Sequence, residues 1–196
     1  MVVHETLIGP MILSFSESRT LGTFQSVSAI GMLISSLCIG MFTLSKKYSK
    51  ILVWGLIISG LSFSLLEFTT NIYFIILAGF LFLSSLPFVN MSADVLVRNN
   101  ISNEKQGRVW GIIGVLSQLG FIVSYSIAGF LADHVFNPLL EEGGALASTV
   151  GSYIGVGPGR GIAFLFIIAG VFVIVIAAIT SQLKSIKGLE KGIDIK

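Results

Sequence analysis

Charge is what this sequence has least of. Only 11% of its 196 residues are Asp, Glu, Lys or Arg, where a soluble globular domain carries about 25%. So few charges cannot cover a water-facing surface, which excludes an ordinary soluble domain or soluble enzyme. Cysteine is nearly absent: Cys38 is alone and lies inside an apolar run, without a partner for a disulfide or a metal. We read it as a small packing residue. Catalytic patterns are missing too. The chain has no HExxH, no GxSxG and no phosphate-binding glycine loop ending in Lys-Ser or Lys-Thr, so neither catalysis, a metal nor a cofactor is expected. A basic stripe with interleaved aromatics is lacking, and nucleic acid is not an expected partner. The first 16 residues have neither the basic start nor the small-residue cleavage site of a signal peptide.

What is present is hydrocarbon, gathered into long runs. Hydrophobic residues make up 54% of the chain, and five segments match the roughly 20 residues needed to cross a bilayer: 20–44, 51–70, 72–97, 107–132 and 161–183. Lipid offers backbone groups no hydrogen bonds, so runs this long and apolar must be helices. The expected fold is all-α, a polytopic helix bundle forming one transmembrane domain over 1–196, with the lipid bilayer as its first partner. Residues 1–16 contain a shorter apolar stretch broken by His4, Glu5 and Gly9-Pro10, which reads as part of a helix.

Orientation follows from the basic residues. Lys46, Lys47, Lys50, Arg98, Lys105, Arg108, Lys184, Lys187, Lys191 and Lys196 fall on one side of the membrane, against Arg19 and Arg160 on the other. That asymmetry predicts cytoplasmic loops at 45–50 and 98–106 and a cytoplasmic C-terminal tail from 184. The outer connections are then 16–19, a tight turn at Thr70 and Asn71, and a long loop over 133–160, in which Ala145 to Ile154 has the composition of a short interfacial helix.

Polar side chains at membrane depth are costly, and they face a bundle interior, a partner helix or a water-filled cavity. The first span carries Gln25, Ser26, Ser28, Ser35 and Ser36, and the fourth carries Ser117, Gln118, Ser124, Tyr125 and Ser126. Both are expected inside the bundle. The serines read as packing residues, whereas Gln25 and Gln118 fit packing and substrate contact equally well. Glycines at Gly107, Gly111, Gly114, Gly120 and Gly129 predict that the fourth helix is tightly surrounded. The last span has no polar side chain between Gly161 and Thr180 and is expected at the periphery, facing lipid over much of its surface.

The third span contains Pro87, followed by Asn90, Asp94 and Arg98. Proline removes one helix hydrogen bond, so this helix has either a static kink or a hinge. Asp94 and Arg98 have the i, i+4 spacing of an ion pair, and Arg108 is a second cation for the same carboxylate. Glu67, Asp133 and His134 lie at span ends and read as solvated. No deeply placed carboxylate offers itself as a proton site.

Several short stretches together resemble the C-terminal half of a major facilitator superfamily transporter, nearest to bacterial macrolide-efflux-type drug permeases. They are Leu86-Pro87-Phe88-Val89-Asn90, Gln106-Gly107-Arg108-Val109-Trp110-Gly111, Ala128-Gly129-Phe130-Leu131-Ala132-Asp133 and Gly157-Pro158-Gly159-Arg160-Gly161. The resemblance implies half of that fold, with five full transmembrane helices and a partial N-terminal one. It further implies a multi-pass protein of a bacterial-type cell membrane, exporting small amphipathic substrates as a proton-coupled antiporter. Substrate contacts are implied at Gln25, Asn90 and Gln118, and gate or hinge roles at Pro87, Asp94, Arg98 and Arg108. The implied partner is the missing N-terminal half or a second copy. The stretch Gly40 to Lys50 departs from that family's gate motif, because it holds no acidic residue. A reading of another class also stands: a non-transporting membrane protein that assembles through its polar first and fourth spans.

Overall fold

The computed structural model describes residues 17–41, 47–66, 71–157, 160–183 and 186. Five helices are long and apolar enough to cross a membrane, which makes this a membrane protein by length and composition. They are α1 (Ser18–Met41), α2 (Tyr48–Leu65), α3 (Ile72–Asn100), α4 (Asn103–Leu131) and α7 (Arg160–Gln182). Between the last two, the chain passes through a π-turn (Ala132–Phe136), α5 (Asn137–Leu140) and the single-turn α6 (Gly151–Ile154). Among the described residues there is no strand. The five expected spans therefore coincide with five helices. The N-terminal segment 1–16, the connection 42–46, residues 67–70 with Glu67 and Thr70, Pro158 and Gly159, Lys184 and the tail beyond 186 lie outside the described residues.

Four of the long helices form a row in the order α1, α3, α2, α7. Small residues set the spacing, as they do where backbones must approach closely in lipid. Between α1 and α3, a Cβ on Gly31 would meet Phe80 and Ser84, and one on Gly79 would meet Phe24 and Ser28. Between α2 and α3, Gly55 lies against Val89. Between α2 and α7, a Cβ on Gly60 would come within 2.7 Å of the Gly170 carbonyl oxygen, and Ser64 donates a hydrogen bond to the Ile167 carbonyl at 3.3 Å. Phe63 ties three helices together, tilted against Phe82 on α3 at 5.3 Å and edge-on to Phe166 on α7 at 4.8 Å. Phe24, Leu66, Ile75 and Ala78 form the buried cluster at the end opposite the lysines of α2.

Local chemistry accounts for one helix end and for several hydroxyls, while the buried hydroxyls of Ser28, Ser84, Ser92 and Tyr125 have no hydrogen-bond partner among the described residues. The Asn71 side chain accepts a hydrogen bond from the Tyr73 backbone N–H at 3.1 Å and caps α3, satisfying a donor that the first turn leaves free. Asn71→Ala is expected to cost about 1 kcal/mol, read as a fall of about 2 to 4 °C in melting temperature in detergent. Ser36, Ser85, Ser126 and Ser181 each donate to a carbonyl three or four residues earlier in their own helix. Lipid-facing hydroxyls are satisfied in this way without any partner.

Three expectations are corrected here. The fourth span, α4, is not inside the bundle: none of its residues is buried, and its five glycines from Gly107 to Gly129 have nothing within 4 Å of where a Cβ would stand. Small and polar residues mark a surface that accepts cover, and no described helix supplies it. Residues 133–140 are also helical rather than loop. The dipeptide Asn137-Pro138 looks like a breaker, but proline needs no amide donor in the first turn of a helix, and here it opens α5. The expected interfacial helix over Ala145 to Ile154 is reduced to turns followed by one helical turn at Gly151–Ile154. This segment is knitted together by Gly151 N–H to Leu146 O at 2.9 Å and Gly157 N–H to Leu140 O at 3.1 Å, over a fully buried Leu140.

As expected, α7 exposes much of its surface. Its inner face, with Ala163, Phe166, Gly170 and Ala177 buried, closes one edge of the row. α1, expected inside the bundle, instead closes the other edge and packs against α3 alone among the long helices, burying Phe24, Ser28, Gly31 and Ser35.

Candidate functional site

The three amides singled out in the sequence sit on three helices. Gln25 on α1, Asn90 on α3 and Gln118 on α4 are all exposed, and none is hydrogen-bonded to another described residue. At 1.5 Å per residue they lie about 24, 15 and 22 Å along their own helices from the ends that meet the basic loops. All three lie within helices long and apolar enough to span a hydrocarbon core of about 30 Å. An unsatisfied amide in such a medium costs about 4 kcal/mol or more, so these side chains call for water or a partner. The described helices do not bring the three together, since α1 and α3 are neighbours while α4 stands outside the row.

Pro87 lies within an α3 that continues as a helix to Asn100. Asp94 and Arg98 follow it toward the basic end, both exposed. The ion pair expected between them does not form, and Arg108 makes none with Asp94 either. At exposed positions, solvation of each charge and the freedom of long side chains offset most of what pairing gains. The turn from α3 into α4 is instead held by Gln106, whose side-chain amide donates to the Asn103 side chain at 3.0 Å and to the Ile101 carbonyl at 3.4 Å. At the other end of α4, His134 stacks on Phe130 with ring centroids 4.7 Å apart, and its Nδ1 lies 3.3 Å from the Phe130 carbonyl oxygen.

A concave site does exist, in a place the sequence reading did not single out. Between α2 and α3, at the basic end, a groove of about 530 Å³ is lined by Lys47, Lys50, Trp54, Ile58, Leu81 and Phe88, among others. Gln25, Asn90 and Gln118 do not line it. Its lining is mostly apolar, Ser84 and Ser85 excepted, and its two cations stand at one end, in and just before the first turn of α2. The signal in the sequence was Trp54 four residues after Lys50, the spacing of an aromatic and a cation on one helix face at a membrane interface.

Comparisons of this chain with protein families, with curated proteins and with solved structures found no match. The class defined by the described residues is therefore that of an all-helical protein with five membrane-crossing helices.

Proposed function

We propose that this chain is one half of a secondary active transporter of the major facilitator type, exporting small amphipathic compounds by alternating access, with the proton gradient as its energy source. In this reading the chain carries out no catalysis. Its C-terminal tail and the helix ends bearing Lys47, Lys50, Arg98, Lys105 and Arg108 face the cytoplasm of a bacterial-type cell, as the excess of basic residues on that side favours.

The observation that carries the reading is the trio of exposed amides, Gln25, Asn90 and Gln118, each without a described hydrogen-bond partner and each at hydrocarbon depth. Polar groups so placed are tolerated where a helix borders a water-filled passage. Repeat-built carriers form such a passage between two halves, near the bilayer midplane. The resemblance of the four sequence stretches supports the same conclusion, with Pro87 and the Asp94, Arg98 and Arg108 group near the cytoplasmic gate.

Cells producing the complete assembly are expected to accumulate severalfold less of a fluorescent amphipathic cation than cells without it. A protonophore is expected to abolish the difference. Unchanged accumulation, or a difference indifferent to the protonophore, would count against proton-coupled export.

The bare surface of α4 favours a second reading, in which the chain does not transport but assembles with another membrane protein through α1 and α4. Variants at Gln25 and Gln118 separate the two readings.

A further inference from the structure

We propose that the groove between α2 and α3 holds an acyl chain of an anionic phospholipid from the adjoining leaflet, with its phosphate on Lys47 and Lys50. This goes beyond the transport reading and does not depend on it.

Three features of the groove meet the requirements of such a ligand. Its lining beyond the lysines, with Ile58, Leu81 and Phe88, is mostly apolar, broken by Ser84 and by Ser85, whose hydroxyl is bonded to the Phe82 carbonyl, which suits a hydrocarbon chain better than a polar solute. Its cations are confined to one end, at the start of α2, a helix with no acidic residue in its first turn. The helix dipole adds positive potential there, and no aspartate or glutamate lines the groove to neutralise it. Trp54, 63% exposed one turn beyond Lys50, supplies the amphipathic ring that settles at the depth of lipid headgroups and glycerol. An anionic headgroup thus meets charge of opposite sign where its chain meets apolar surface. A zwitterionic lipid gains only the second of these.

Basic residues at the membrane surface favour anionic lipid by roughly fivefold each. The chain has two tryptophans, so Trp110→Phe leaves Trp54 as the single fluorophore inside the groove. The full chain carrying this change would be reconstituted into vesicles containing phosphatidylglycerol or phosphatidylcholine with brominated acyl chains, which quench tryptophan on contact.

Brominated phosphatidylglycerol is expected to quench Trp54 at a mole fraction at least about fivefold lower than brominated phosphatidylcholine. Adding Lys47→Gln and Lys50→Gln is expected to remove that preference while leaving quenching by phosphatidylcholine in place. Equal quenching by the two lipids, or a preference that survives the double substitution, would overturn the proposal. Quenching by neither lipid would overturn it as well, because protein would then cover the groove.

Discussion

Gly170→Leu is expected to destabilise the protein by about 3 kcal/mol or more, while Gly114→Leu is expected to leave stability unchanged or raise it by up to about 1 kcal/mol. Both glycines lie inside apolar helices, and helix propensity favours leucine at each by a similar amount, so the difference isolates packing. At Gly170 a Cβ would come 2.6 Å from the Gly60 carbonyl oxygen and 2.9 Å from the Ser64 backbone nitrogen. Those are main-chain atoms and cannot swing aside. The helices α2 and α7 would have to separate, breaking the Ser64 hydrogen bond to Ile167 and parting Phe63 from Phe166. At Gly114 nothing lies within 4 Å. Thermal unfolding in detergent measures both, with a drop of about 6 to 12 °C expected for Gly170→Leu. A large loss at Gly114 would show instead that α4 is covered in the assembled protein.

Gln118→Leu is expected to lower export about tenfold, with assembly and membrane level unchanged, and Gln25→Leu to act in the same direction. One lost hydrogen bond to a substrate amounts to about 1 to 1.5 kcal/mol, and 1.4 kcal/mol is a factor of ten. Leucine at either position removes an amide that hydrocarbon solvates poorly, so membrane insertion improves and cannot be the reason for lost export. The double variant is expected to fall further than either single one, up to about a hundredfold if the two contacts to the shared substrate act independently. The assembly reading predicts the opposite pattern: a complex lost on co-purification. Transport rates in vesicles and co-purification of the partner, measured on the same preparations, distinguish the two.

The helices were legible because the bilayer imposes a length. Ile72 opens α3 next to a capping asparagine, and the turn at Asn71 was visible as a polar break between two apolar runs. Which face of each helix is covered was not legible, since cover depends on what stands opposite. Gly60 and Gly170 meet across α2 and α7, whereas Gly107 and Gly111, with the favoured contact spacing, meet nothing described. Ser26 and Ser28 differ by two positions, yet one is exposed and the other 1% exposed against α3. Asp94 and Arg98 had the spacing of an ion pair but not the burial that makes pairing worthwhile. The groove went unread because it belongs to two helices at once. Lys50 and Trp54 share a face of α2, but only the fold sets Leu81 and Phe88 opposite them.

The lengths of α2 and α4 impose different postures in one membrane. Eighteen residues of α2 rise about 27 Å, close to the 30 Å of the hydrocarbon core, so α2 fits standing nearly upright. The apolar stretch of α4 and its π-turn, from Val109 to Ala132, rises about 36 Å, with Arg108 and Asp133 at its two ends. Burying the whole of that apolar stretch in hydrocarbon requires a lean of about 34°, inside the range that transmembrane helices adopt. Two helices matched to the bilayer at such different inclinations cannot lie side by side along their full lengths. A thinner bilayer would widen the angle between them, because only α4 has length to spare.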